Sequence, residues 1–196
     1  MKTSNIEKYF KQKNWSIPEI ICVIAIIVAV IFILAISIPI GVPLGGVAVI
    51  VLVFIKSAKI KDAEVDRALN SLIEAHGIPL DPDSVVGTYD LKGTRVVKGK
   101  DGKLRSDRYV ITAFALEGEV KDLTVYRIQV STGQVAEETY ALHGAEDVSL
   151  QEEAIITSAG RKTVYDLVSP AFEAPIPVPM DDVQASRLIE KVTEKR

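Results

Sequence analysis

Cysteine, histidine and tryptophan are scarce: the 196 residues include one Cys, two His and one Trp. A single cysteine, Cys22, excludes a disulfide framework and a cysteine zinc site. His76 and His143 have no His or Cys partner at metal-ligand spacing, so a histidine metal centre is excluded too. His76 precedes Gly77 at a helix end, where an imidazole can meet free carbonyls. His143, in the turn Leu142-His143-Gly144, is the base on which an enzyme reading would rest. Catalytic signatures are missing as well. There is no Gly-x-Ser-x-Gly for a serine nucleophile and no Gly-x-x-x-x-Gly-Lys for a phosphate loop. Asp81-Pro82-Asp83-Ser84 lacks the loop length and closing Glu of a calcium-binding EF-hand. Glu137-Glu138 and Glu152-Glu153 are sequence neighbours, and strand neighbours point to opposite faces, so neither forms an acid/base pair. No cofactor, metal or catalytic constellation is implied, and the chain reads as a binding protein.

Charge is absent from one long stretch. Ile20 to Ile55 is 36 residues without a charge, and 30 of them are apolar. This explains how a chain that is 25% charged reaches a mean hydropathy of +0.23. The run predicts a transmembrane hairpin over 17–58, with spans of about 18–38 and 44–58. Pro39, Gly41, Pro43, Gly45 and Gly46 mark the break, because proline removes a helical donor and disfavours helix just before its ring. Glycines also allow close helix approach, which suits an accessory subunit packed on a larger membrane complex. Ser16-Ile17-Pro18-Glu19 gives the first helix a capping serine, an early proline and a third-position glutamate. Between Glu19 and Lys56 the run contains no Asp, Glu, Lys, Arg or His for an ion or proton path.

Residues 1–16 form a basic segment in which Ile6, Tyr9 and Phe10 make one face of a short interfacial helix. Trp15, Lys56 and Lys59 are the candidate membrane anchors. Lys2, Lys8, Lys11 and Lys13 precede the run, Lys56, Lys59, Lys61 and Arg67 follow it, and the turn has none. Lysine placement then predicts an integral inner- or plasma-membrane protein with both termini cytoplasmic. Residues 1–56 carry net +3 and residues 57–196 net −6, which suits a chain beside an anionic bilayer. The overall charge of −3 gives no reason to expect nucleic acid.

Residues 57–76 repeat apolar positions at helical spacing, and the linker helix is placed at 59–77. Gly77 and Pro79 end it. Ala58, Val65 and Leu72 recur every seven, so self-association through 58–73 is one use of its stripe. From residue 78 the period changes to 2. Strands are predicted at 85–91, 94–97, 104–114, 123–130, 134–142, 154–157 and 163–168, then a proline-broken segment and a helix starting at Asp181 or Asp182. Asp101-Gly102 is a strong hairpin turn signal. The fold class is thus a helical hairpin and linker helix followed by an α+β, mainly antiparallel β domain over 78–196, a small barrel or sandwich closed by a helix.

Seven strands and a closing helix, with Arg108-Tyr109-Val110-Ile111-Thr112, the paired strands of 123–142 and the Val183–Val192 helix, resemble the pleckstrin-homology-like (PH-like) domain. Bacterial relatives of that family are fused to transmembrane hairpins. Tyr126-Arg127-Ile128-Gln129-Val130-Ser131-Thr132-Gly133-Gln134-Val135 also resembles a PepSY-like module, which pairs strands with a preceding helix. Neither resemblance rests on an invariant motif.

One cluster stands out in the acidic half. Lys92, Arg95, Lys98, Lys100, Lys103, Arg105 and Arg108 fall within 17 residues across the first long hairpin, against Asp101 and Asp107. They are the candidate contacts for anionic headgroups or an acidic protein partner. In a PH-like domain this hairpin lies near the barrel mouth that related domains use for ligands. The expectation is a non-enzymatic, membrane-anchored scaffold offering a cytoplasmic β-rich domain to a protein partner or headgroups.

Overall fold

The computed structural model describes residues 3–11, 17–35, 38–57, 59–79, 81, 84–92, 95–114, 122–142, 148–157 and 159–193. The chain forms two compact units, one of Met1–Phe10 with Asp62–Arg196 and one of Lys11–Lys61.

The smaller unit is a helical hairpin of α2 (Ile17–Ala35) and α3 (Ile38–Ser57), after α1 (Thr3–Lys11) of the larger unit. Small side chains line the α2–α3 contact. Cys22, Ala29 and Ala48 are buried, and a Cβ on Gly45 would lie 3.3 Å from that of Ala29. Pro39 sits in the first turn of α3, where its missing N–H has no helical partner to lose. Pro43 is inside α3, so the helix begins before the predicted break rather than after it.

The membrane expectation is corrected here. Among the described residues, no helix is long and apolar enough to cross a membrane. The charge-free run is divided between two helices whose lengths are partly spent on other residues. Glu19 occupies the first turn of α2, Pro43 interrupts α3 and Lys56 lies in its last turn. The two spans, the integral-membrane location and the cytoplasmic placement of both termini are therefore withdrawn. The anchor roles go with them. Lys59 Nζ lies 2.8 Å from the buried Glu19 carboxylate, a pair that neutralises an acid within the hairpin unit. Lys56 is exposed, and Trp15 lies outside the described residues.

The larger unit is α+β with antiparallel sheets. In α1, Ile6, Tyr9 and Phe10 fall three and four apart on one face, and all are buried. This is the face read as interfacial; within the protein, its Tyr9 hydroxyl donates to Asp62 Oδ1 at 2.9 Å. Asp62 opens α4 (Asp62–Ala75), in which Val65, Ala68, Leu69 and Ile73 are buried at helical spacing. Gly77 ends it at φ +61°, while Ile78 N–H reaches Ile73 O and Gly77 N–H reaches Glu74 O, both at 3.1 Å. That double bond pattern needs a left-handed residue, which glycine adopts at no steric cost.

The main sheet orders β1 (Val85–Tyr89), β4 (Arg108–Phe114), β5 (Asp122–Gln129) and β6 (Gln134–Ala141) as β1-β4-β5-β6. A separate hairpin, β2 (Val96–Lys98) and β3 (Leu104–Ser106), stands between β1 and β4 in sequence. The single strand predicted over 104–114 is broken at Asp107. Its N–H bonds Arg95 O at 3.3 Å and its carbonyl accepts Val130 N–H at 2.8 Å, both outside the strand ladders. The second sheet is β7 (Ser149–Thr157), β8 (Gly160–Val168) and β9 (Ile176–Val178), in that order. The proline-broken segment thus contributes a short edge strand, a position proline tolerates.

Val86, Val110, Phe114, Leu123 and Val125 of the first sheet share one core with Leu167, Ile176 and Val178 of the second. The last helix, α5 (Val183–Thr193), adds Ala185, Leu188 and Val192 to it. Asp182 fixes the start of that helix, its Oδ1 accepting from Gln184 N–H at 2.7 Å and Ala185 N–H at 3.2 Å.

Candidate binding cleft

A cleft of about 330 Å³ opens where the end of β1 meets β8 and β9. Its size is at the small end of ligand pockets, roughly 300–1,000 Å³. Val178, Pro177, Pro179, Met180 and Tyr165 give it an apolar lining. Three aspartates, Asp90, Asp166 and Asp181, against the single Lys92 give it a net negative charge.

Local rules place each charge. Asp90 follows β1 and folds the chain back, its Oδ1 accepting Lys92 N–H at 3.0 Å. That turn aims the Lys92 side chain at β8. Asp166 sits in β8 and is 3% exposed. Lys92 Nζ approaches its Oδ2 at 2.6 Å and also contacts Glu153 of β7. Burial works against the lysine charge, but Asp166 and Glu153 outweigh it and hold the ammonium above its ordinary range. Asp166 Oδ2 is almost fully buried, and Lys92 engages it as a close ion pair. Asp181, in the turn after β9, is exposed at the rim.

A second polar cluster ties α1, α4 and the β2–β3 hairpin together. Arg105 of β3, itself buried, grips Asp66 of α4 through Nε at 2.9 Å and Nη2 at 2.7 Å. The same guanidinium grips Asp101 at 3.0 and 2.8 Å. Asp62 accepts Tyr9 on one oxygen and Lys100 N–H on the other at 2.7 Å. Beside these groups Tyr89 and Tyr109 pack edge to face with centroids 4.8 Å apart. Burial first, then the nearby Asp66 charge, pushes the Tyr89 hydroxyl well above its ordinary range. Each charged group here has a structural partner, so the cluster is a clamp, beside which the Tyr89 hydroxyl is buried without a hydrogen-bond partner among the described residues.

The seven basic residues singled out by sequence are dispersed. Arg105 is in the clamp, Lys92 is in the cleft, and Arg95 lies 3.7 Å from Glu7 of α1. Lys98, Lys100, Lys103 and Arg108 are exposed. His143 lies outside the described residues, and His76 meets Leu72 O at 2.9 Å at the end of α4. Among the described residues, no group of three or more His, Cys, Asp or Glu is placed to hold a metal ion.

Sequence reading missed Asp90, Asp166 and Asp181 as members of one site. The signal was in Val164-Tyr165-Asp166-Leu167-Val168, where an acid interrupts an otherwise apolar strand alternation. No protein-family model matches the chain, and comparison with curated proteins and with solved structures finds no match either.

Proposed function

We propose that this chain is a non-catalytic protein-binding module whose cleft takes a basic segment carrying an apolar side chain. The observation that carries this reading is the make-up of the cleft, where Asp90, Asp166 and Asp181 outnumber the single Lys92 beside an apolar lining. A lysine or arginine entering the cleft meets the exposed Asp181 carboxylate and offsets the excess negative charge, while Val178, Met180 and the prolines receive the apolar neighbour. Asp90 and Asp181 at the mouth attract such a segment and orient it. The scaffold is read as PH-like. Four antiparallel strands, three more and a closing helix follow in that order, with β2–β3 inserted after the first strand.

The test uses the full-length, isotope-labelled chain and the peptide acetyl-Leu-Arg-Lys-amide, with acetyl-Leu-Gln-Gln-amide as control. The basic peptide is expected to move the amide signals of Asp90, Lys92, Asp166 and Asp181 saturably, and added salt to weaken the effect. Asp181→Lys should abolish it. Equal shifts with the glutamine peptide, or none with either, would remove the reading.

A further inference from the structure

The β7–β8 hairpin outruns the core it covers. On one face, Leu150 pairs with the buried Leu167, and the same row continues outward through Glu152–Tyr165 and Ala154–Thr163 to Ile156–Arg161. Glu152, Ala154, Thr163 and Arg161 are exposed, and Ile156 is 90% exposed, more than any other large apolar side chain among the described residues. On the opposite face Ile155 pairs with Lys162. The tip therefore presents an isoleucine opposite a cation on each face. No acid stands between residues 154 and 163.

This combination complements the cleft, which offers an apolar lining, three aspartates and one lysine. The tip cannot fill the cleft of its own chain. Thr163 to Asp166 of the same strand line that cleft, and the turn at Gly160 lies three to six residues further along a rigid ladder. At about 3.3 Å per residue, that is roughly 10–20 Å away.

We propose that the β7–β8 tip of one copy enters the acid-lined cleft of a second copy, with Ile156 on the apolar lining and Arg161 at the exposed Asp181. The inference rests on the binding reading of the cleft and names its occupant. Because tip and cleft are different surfaces, the contact is head to tail, and each copy keeps one free tip and one free cleft. Such contacts extend into rings or filaments.

Sedimentation velocity of the full chain over a range of concentrations tests this. The wild type should show a sedimentation coefficient that rises with concentration. Ile156→Asp and Asp181→Lys should each weaken association at least tenfold; both positions are exposed, so the fold is retained, as circular dichroism checks. Mixing the two variants is the decisive arm. One has an intact cleft and the other an intact tip, so together they should form a one-to-one dimer that grows no further. Oligomers that persist in both single variants, or a mixture that stays monomeric, would overturn the inference. If the basic peptide still binds while the wild type remains monomeric at all concentrations, self-association fails and the cleft reading stands. If peptide and association both fail, both readings go.

Discussion

Replacing Arg105 by Met removes the guanidinium but keeps an apolar stem in the same space. Four charge-assisted hydrogen bonds disappear, two to Asp66 and two to Asp101. Summed at about 1.5–3 kcal/mol each they would match the whole stability of a typical domain, but bonds within one network are not additive. A better bracket comes from breaking a buried ion pair, which costs about 3–5 kcal/mol when a charge is left buried and alone. Here the abandoned acids are not deeply buried: the Asp66 and Asp101 side chains are 48% and 38% exposed and can turn to water. The expected loss is therefore about 2–3 kcal/mol. Urea unfolding of the full chain, followed by near-ultraviolet circular dichroism, measures it, and the Tyr89–Tyr109 pair contributes to the signal. The pH dependence is a second readout. Hydrogen bonding from Arg105 leads, against a smaller effect of burial, in holding the Asp101 carboxyl at about 2 instead of 3.8. A lowered carboxyl adds stability that is complete above 3.8 and is lost as pH falls through 2. Wild type should thus lose stability over that window by more than Arg105→Met does. A loss below about 0.5 kcal/mol at neutral pH, the range of ordinary surface changes, would refute the clamp.

Two further outcomes follow from the core and the last helix. Leu188→Ala, at a fully buried position shared by both sheets and α5, should cost about 3 kcal/mol in urea unfolding, since the cavity it leaves is walled by strands. Asp182→Ala should cost about 1 kcal/mol by removing two capping bonds, with amide exchange rising first at Gln184 and Ala185.

The larger unit was legible wherever a local rule acts alone. Period-2 stretches such as Leu123-Thr124-Val125 became strands, Gly77 ended a helix, and Asp182 started one. Asp107 was not legible, because what breaks the strand is bonding to Arg95 and Val130, residues distant in sequence. The hairpin was misread for a related reason. Its division into two helices was read, but spans were assigned from apolar content; among the described residues no helix is long and apolar enough to cross a membrane, and Glu19 is set against Lys59. The basic cluster likewise looked uniform, but the acids that engage Lys92, Arg95 and Arg105 lie mostly elsewhere in the chain, among them Asp166, Glu7 and Asp66. Charge partners brought together by folding leave no periodicity to read.

The Tyr9–Asp62 bond joins the last turn before the helical hairpin to the first residue after it. Mechanically, residues 11–61 are a closed loop rather than a terminal arm. The two ends of that loop are held by Tyr9, its buried neighbours on α1, and Asp62 at the start of α4.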